Sequence, residues 1–339
     1  MNKYNGTRVL IIAALVVVAM CSQAFAAGVQ DQAMEIAYGH GFMPTTPQHL
    51  SAVKFKELVE EKSAGTITVN VFPSGQLGSA KDMFESLQMG TQQIALLPTA
   101  RISGFAPTLQ LFDLPFLFPD REVAYQIFDG PIGSELLATM DDKGVKGVAI
   151  YEDGFKHFTC AKPVNSLADF SGRKFRTMES PIIMEQFKSL GANPTTIDFS
   201  ELYNALQQGV VDGQENPLVT ISSMKFYEVQ KYVILSGHAY LGHVLLFSKS
   251  WFEALPVAQQ KLLVEVGREL ATWERALVQE EEKNYLTTIR NFGTTVVELP
   301  QSEIAKLREA TRRVYTVAEP IIGKALIDKT VKEVERLSR

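Results

Sequence analysis

Hydrophobic positions along this chain fall into short alternating runs separated by stretches of helical period. Thr66 to Phe72 alternates cleanly, with Ile67, Val69 and Val71 facing one way, and predicts a half-buried strand. Ahead of it, Ala33 to Gly39 predicts a first strand, and Gly39-His40-Gly41 the loop at its end. Thr46 and Pro47 supply an N-cap and a first helical position for a helix to about Lys62, with Leu50, Val53, Leu58 and Val59 on one face. Ser79 caps a helix that ends at Gly90, and Ile94 to Leu97 is a short buried strand with Thr99 and Arg101 just past its end. Asp120 starts a further helix and Val145 to Tyr151 a further strand.

The second half resumes the alternation. Strands are predicted near 172–177, 194–197, 210–212 and 231–235, helices near 181–190 and 200–208, and an apolar strand from Tyr240 to Phe247. Such an order predicts an α/β fold, with parallel or mixed sheets covered by helices. From Pro256 to about Phe292 nothing interrupts the helical pattern, a stretch of roughly 54 Å at about 1.5 Å per residue. It fits either one helix crossing the whole molecule or two helices broken at a kink. Ser302 opens a last amphipathic region that ends in a charged tail.

One stretch carries recognisable chemistry. Gly172 lets a turn close, Lys174-Phe175-Arg176-Thr177 has the look of a short strand, and Ser180-Pro181 reads as N-cap and first helical position. Arg176 then sits at a strand end with a helix N-terminus opening after it, the usual place for a ligand crevice in an open α/β sheet. A guanidinium fork and free backbone N–H groups suit an oxyanion. An arginine on a strand also serves as a surface charge or a structural ion-pair partner, and the local sequence leaves both open.

Composition narrows the field. Lys3 and Arg8, an apolar run from Val9 to Met20, and Ala24-Phe25-Ala26 together predict a cleavable export signal over residues 1–26. The run is too short to span a bilayer, and Met20 stands where lipidation of Cys21 requires a small residue. Cleavage removes two positive charges and takes the net charge from −5 to −7, which argues against nucleic acid or anionic membrane as a partner. Cys160 would be the one remaining cysteine, so no intramolecular disulfide is expected, and the exporting compartment points to a periplasm. A mature chain of this length is enough for two domains.

Catalytic signatures are missing: there is no G-x-x-x-x-G-K-[ST], G-x-G-x-x-G, H-E-x-x-H or G-x-S-x-G. The histidines are His40, His49, His157, His238 and His243, and no pair has a familiar metal-ligand spacing. Neither a metal nor an organic cofactor is expected.

Six segments in order resemble the periplasmic substrate-binding subunits of TRAP transporters, the DctP-type family. They are 55–90, LFDLPFLFPD (111–120), GFKHFT (154–159), SGRKFRT (171–177), FSELYNALQQGVVDGQENP (199–217) and WFEALP (251–256). The resemblance implies a two-domain periplasmic-binding-protein fold with a ligand cleft between the domains and a long domain-spanning helix. Residues 27–152 with 242–275 would form one domain and 153–241 with 276–339 the other. It places the carboxylate-pairing arginine at Arg176, a second polar contact at Asn216 and an apolar wall at Phe199, with Ser200 capping the helix behind it. Where the family often reads G-F-R this chain reads Gly154-Phe155-Lys156, a point charge in place of a fork. Glu179, close after Arg176, would accept from a ligand hydroxyl or amine. Lys156, Arg176, Phe199 and Asn216 would come from one domain, and His40, Thr99 and His243 from the other.

The function so implied is capture of a small organic anion in the periplasm and delivery to TRAP membrane permease subunits. The protein is expected to act as a monomer without inserting into the membrane. Dicarboxylates, hydroxy or keto acids, sugar acids and short sulfonates such as isethionate all satisfy one arginine, one lysine and an apolar wall. Two alternatives stay open: an exported enzyme acting on an anionic substrate, and the ligand-binding partner of a sensor kinase.

Overall fold

The computed structural model describes residues 34–339, and the expected export signal lies outside the described residues. Ten strands form two sheets that share one long strand. They are β1 (Met34–His40), β2 (Ile67–Phe72), β3 (Ile94–Pro98), β4 (Val145–Cys160), β5 (Lys174–Thr177), β6 (Asn193–Thr196), β7 (Gly213–Pro217), β8 (Tyr232–Leu235), β9 (Tyr240–Ser248) and β10 (Thr295–Glu298). The first sheet runs β2-β1-β3-β9-β4 and the second runs β10-β8-β4-β7-β5-β6. Within them β1, β2 and β3 are parallel, as are β5, β6 and β7, while β4 and β9 run antiparallel to their neighbours. This is the two-domain periplasmic-binding-protein fold.

Strand β4 is 16 residues long, far beyond the stretch to Tyr151 that periodicity predicts. Its first part pairs with β9 as far as Phe155↔Tyr240, and from Lys156 onward it pairs with β7 and β8. Register shifts after Gly147 and again at Glu152/Gly154 bend the strand, which lets it leave one sheet for the other. Gly154 holds φ at +114° there, a conformation L side chains rarely adopt.

The stretch from Val257 to Phe292 is a single helix of 36 residues, which resolves the one-or-two question. Its N-terminal part buries Leu263, Val266 and Leu270 against Phe55, Val148 and Phe247 of the first sheet's core. Its far end buries Ile289 with Leu202, Ile221 and Val233 under the second sheet. Between them, Glu274 Oε2 accepts from the Glu152 amide at 3.1 Å and Arg275 holds Asp129 and the Ile150 carbonyl.

Two expectations need correction. The helix Pro47–Lys62 buries Gln48, Ser51, Ala52, Phe55 and Val59, while Leu50 is 41% exposed. The buried face is rotated because its polar members find partners in the fold: Ser51 Oγ donates to the Gln48 carbonyl, and Gln48 Nε2 donates to the Glu152 carbonyl at 2.7 Å. The strand expected at 210–212 is a turn, and the strand itself is Gly213–Pro217, whose polar residues are all buried. A Cβ on Gly213 would lie 2.3 Å from the Thr159 carbonyl oxygen, so only glycine lets β7 approach β4.

Lys156 sits where β4 changes sheets. Its ammonium is fully buried, 2.8 Å from Glu215 Oε1 and 4.0 Å from Asp113 Oδ1. Glu215 also bonds His238 Nε2 at 2.6 Å, and His238 stacks on Phe158 with 3.8 Å between ring centroids. Burial works to raise the Glu215 carboxyl, but Lys156 and His238 outweigh it and hold its pKa at about 2. Its stabilisation is therefore complete above its unfolded range and is lost as pH falls through about 2. Removing one member of a buried pair leaves the other charge stranded, so Lys156→Met should cost roughly 3–5 kcal/mol. Urea unfolding at neutral pH, with no ligand present, measures this. A variant as stable as the parent would mean that Glu215 carries no charge to strand.

Candidate functional site

Between the two sheets lies a cavity of about 550 Å³. Phe42, Met43, Pro98, Arg101 and His243 line it from the first sheet's side, and Met178, Asp198, Phe199, Asn216 and Thr220 from the second. Asp153, on the crossing strand, lines it as well.

Two guanidinium groups converge on one aromatic ring. Arg101 Cζ lies 5.6 Å and Arg176 Cζ 6.0 Å from the centroid of Phe199. Arg101 reaches from just past β3 and pairs with Asp198 at 2.9 Å, a contact between the two sides of the cavity. Arg176, at 2% exposure, donates through Nε to the Ile197 carbonyl at 2.9 Å. Among the described residues neither of its two Nη atoms donates to a protein acceptor or has a carboxylate at ion-pair distance. Burial first and Arg101 second lower the Arg176 pKa to about 9. A guanidinium keeps its proton in proteins, so the shift expresses a positive charge short of compensation.

The other expected site residues divide. Phe199 and Asn216 line the cavity, Asn216 with its Nδ2 donated to Gln214 Oε1. His243 lines it too; its Nδ1 has no partner among the described residues, its ring packs edge-on to Phe42 at 4.6 Å, and burial, then Arg101, pushes its pKa to about 3, so it is neutral. His40 is buried behind the wall, 3.2 Å from His49 and accepting from the Phe42 amide at 3.1 Å. Thr99 is buried and donates to the Gly242 carbonyl at 3.2 Å. Glu179 points its side chain to solvent, its backbone carbonyl held by Ser103 Oγ, and acts on Arg101 and Arg176 only as a nearby negative charge. Lys156 is spent on Glu215, away from the cavity wall.

Arg176 itself stands behind the lining residues, at the end of β5 as expected. The helix after it begins at Pro181 under Ser180, but Ser180 Oγ donates to buried Asp113 at 2.7 Å, and that N-terminus does not line the cavity. Nor does Ser200 cap the next helix. Asp198 does, accepting from the Ser200 amide at 2.9 Å while it also pairs with Arg101.

Three site residues escape the sequence-level site: Arg101, Asp198 and Asp153. Arg101 carries a readable signal, a basic residue just past a short buried strand. Asp198 looks like an ordinary cap. Asp153 is placed by a bulge, since Glu152 pairs with Gly242 and Gly154 with Leu241, leaving it without a partner across the ladder. Its Oδ2 accepts from Thr220 at 2.8 Å and its Oδ1 from Gln48 at 3.3 Å.

Residues 38–320 match the family described as bacterial extracellular solute-binding protein, family 7. The C4-dicarboxylate-binding periplasmic protein DctP of Rhodobacter capsulatus is 33% identical over 318 residues, 92% of this chain and 95% of its own length. A TRAP periplasmic solute-binding protein from Desulfovibrio salexigens, solved with orotic acid, is 37% identical with a TM-score of 0.86 over 89% of this chain and 99% of its own. The sugar acid binding protein DctPAm of Advenella mimigardefordensis, solved with galactonate, is 33% identical with a TM-score of 0.87 over 89% and 98%.

The Asp153 carboxyl yields a pH test. Burial raises its pKa to about 7, against the hydrogen bond from Thr220, with Glu152 adding to the rise. An unfolded aspartate loses its proton near about 3.9, so the folded chain holds a proton the unfolded chain has shed. Asp153 thus withdraws stability progressively up to about pH 7 and fully above it. Asp153→Asn cannot ionise and should gain several degrees in Tm relative to the parent as pH goes from 4 to 8. Melting curves across that range check it. A difference independent of pH would mean Asp153 is ionised throughout.

Proposed function

The chain belongs to the bacterial extracellular solute-binding protein family 7, the TRAP periplasmic solute-binding proteins, and from that premise we propose that it captures a small organic acid in this cavity for uptake by a membrane permease. The observation that carries the reading is Arg176: a buried guanidinium that, among the described residues, has two unengaged Nη atoms and no carboxylate at ion-pair distance, beside a second arginine. Such a charge is stabilised by an incoming anion, and a carboxylate takes both Nη donors at once. Phe199 and Met178 give the ligand an apolar wall, Asn216 a polar contact, and His243 a neutral nitrogen free to bond. Asp198 holds Arg101 across the cavity and releases it when the two sides part.

Neighbours solved with orotic acid and with galactonate, and a relative named for C4-dicarboxylates, support carboxylates as the class. Lys156 is proposed to brace β4 rather than touch the ligand, and His40 and Thr99 to hold the wall in place. Export to the periplasm agrees with the leader expected over residues 1–26, and no helix among the described residues is long and apolar enough to cross a membrane.

The enzyme alternative has one constellation to weigh. Ser236 Oγ lies 2.7 Å from His238 Nδ1, and His238 Nε2 lies 2.6 Å from Glu215. Lys156 already neutralises that carboxylate, and the Ser236 and Gly237 amides, the nearest candidates for an oxyanion hole, both donate to His157 Nδ1 at 3.2 Å. The chain of groups is a structural network.

A thermal-shift screen of organic acids, with sulfonates alongside, tests the reading, because a ligand at 100 Kd stabilises by roughly 2.7 kcal/mol. Arg176→Lys should then lose roughly 2–5 kcal/mol of binding to any acid found, since an ammonium cannot supply the fork. Calorimetric titration of parent and variant decides it; equal affinities would remove Arg176 from the site.

A further inference from the structure

Asp153 is the one carboxylate that the crossing strand itself contributes to the cavity wall. Three independent features put it there. The bulge at Glu152/Gly154 takes it out of the strand ladder, and bulges of this kind re-aim a side chain. Gln48 and Thr220, from helices packed on either side, fix both carboxylate oxygens. Only 3% of the residue is exposed, so the surface it offers faces the cavity.

Its position relative to the arginines is informative. Arg101 and Arg176 gather at the Phe199 ring, whereas Asp153 is held on the crossing strand by Gln48 and Thr220. The cavity thus has a positive end around Phe199 and a separate acidic spot beside Thr220. Each carboxylate oxygen has two lone pairs and spends one on protein, so each can still accept from a ligand. Where Asp153 is ionised, above about pH 7, a hydroxyl at that spot would be accepted, whereas a second carboxylate would meet a like charge.

We propose that Asp153 is the specificity-determining residue of the cavity, accepting a hydroxyl from the end of the ligand remote from its carboxylate and excluding a second carboxylate. The substrates are then monoanionic hydroxy acids rather than dicarboxylates. The inference rests on the organic-acid reading of the same site.

Gluconate and glucarate differ only in whether the far end is a hydroxymethyl group or a carboxylate, and threonate and tartrate offer the same contrast on a shorter chain. Titration calorimetry at pH 8 compares them, a condition under which Asp153 is ionised. The groups facing it are Glu152 and Lys156 on its own strand, Gln48, Thr220, and Glu274 and Tyr285 of the long helix. The parent should favour the monoacid of at least one pair by roughly a hundredfold, and Asp153→Asn should cut that ratio at least tenfold by strengthening the diacid. A parent that binds diacids as well as monoacids overturns the proposal without any variant, and so does a ratio unchanged in Asp153→Asn; both leave organic-acid capture standing. A parent that binds none of the four, nor any acid in a wider screen, overturns both readings together.

Discussion

A guanidinium buried without a carboxylate at ion-pair distance among the described residues is the constraint around which this molecule is arranged. Among the described residues Arg176 has only the Ile197 carbonyl as a fixed acceptor, and Arg101, drawn to the same Phe199 ring, adds a second positive charge. Asp198 offsets Arg101 by reaching across the cavity. The folded chain therefore carries an electrostatic deficit at one place, and the paired sheets, the crossing strand and the helix over both fix where that place lies.

The crossing strand does so through polar residues as much as apolar ones. Lys156 at the point of crossing is locked by Glu215, which is locked in turn by His238, and Glu274 of the long helix receives the Glu152 amide a few residues earlier. Burial makes ionisation of Glu274 unfavourable and raises its pKa well above the ordinary range, against the hydrogen bond from the Glu152 amide. Removing charges from water here is costly, and the hydrogen bonds that compensate for it also define one path for β4 between the sheets.

Much of this architecture was legible in the sequence where burial is apolar. The alternation of Ile67, Val69 and Val71 marked β2, the uninterrupted pattern after Pro256 marked the long helix, and the segments around Arg176 marked the family. Legibility failed where buried residues are polar. Gly213 to Pro217 forms a central strand with no hydrophobic alternation, because Gln214, Glu215 and Asn216 are satisfied by Thr159, Lys156 and one another. The helix carrying Gln48 was rotated in the sequence reading for the same reason. Lys156 read as a ligand contact because its partners Glu215 and Asp113 are 59 and about 40 residues away, a proximity only the fold creates. Asp153 was invisible because a bulge, which depends on how two strands meet, decides where it points.

The central claim is that the uncompensated charge of Arg176 is the seat of anion binding. A crystal structure with the tightest acid from a screen tests it most directly. The account predicts the ligand carboxylate within hydrogen-bond distance of both Arg176 Nη atoms, its carbon chain against Phe199, and Lys156 still paired with Glu215. A carboxylate bound elsewhere in the cavity, with the Arg176 Nη atoms still unengaged, would contradict it.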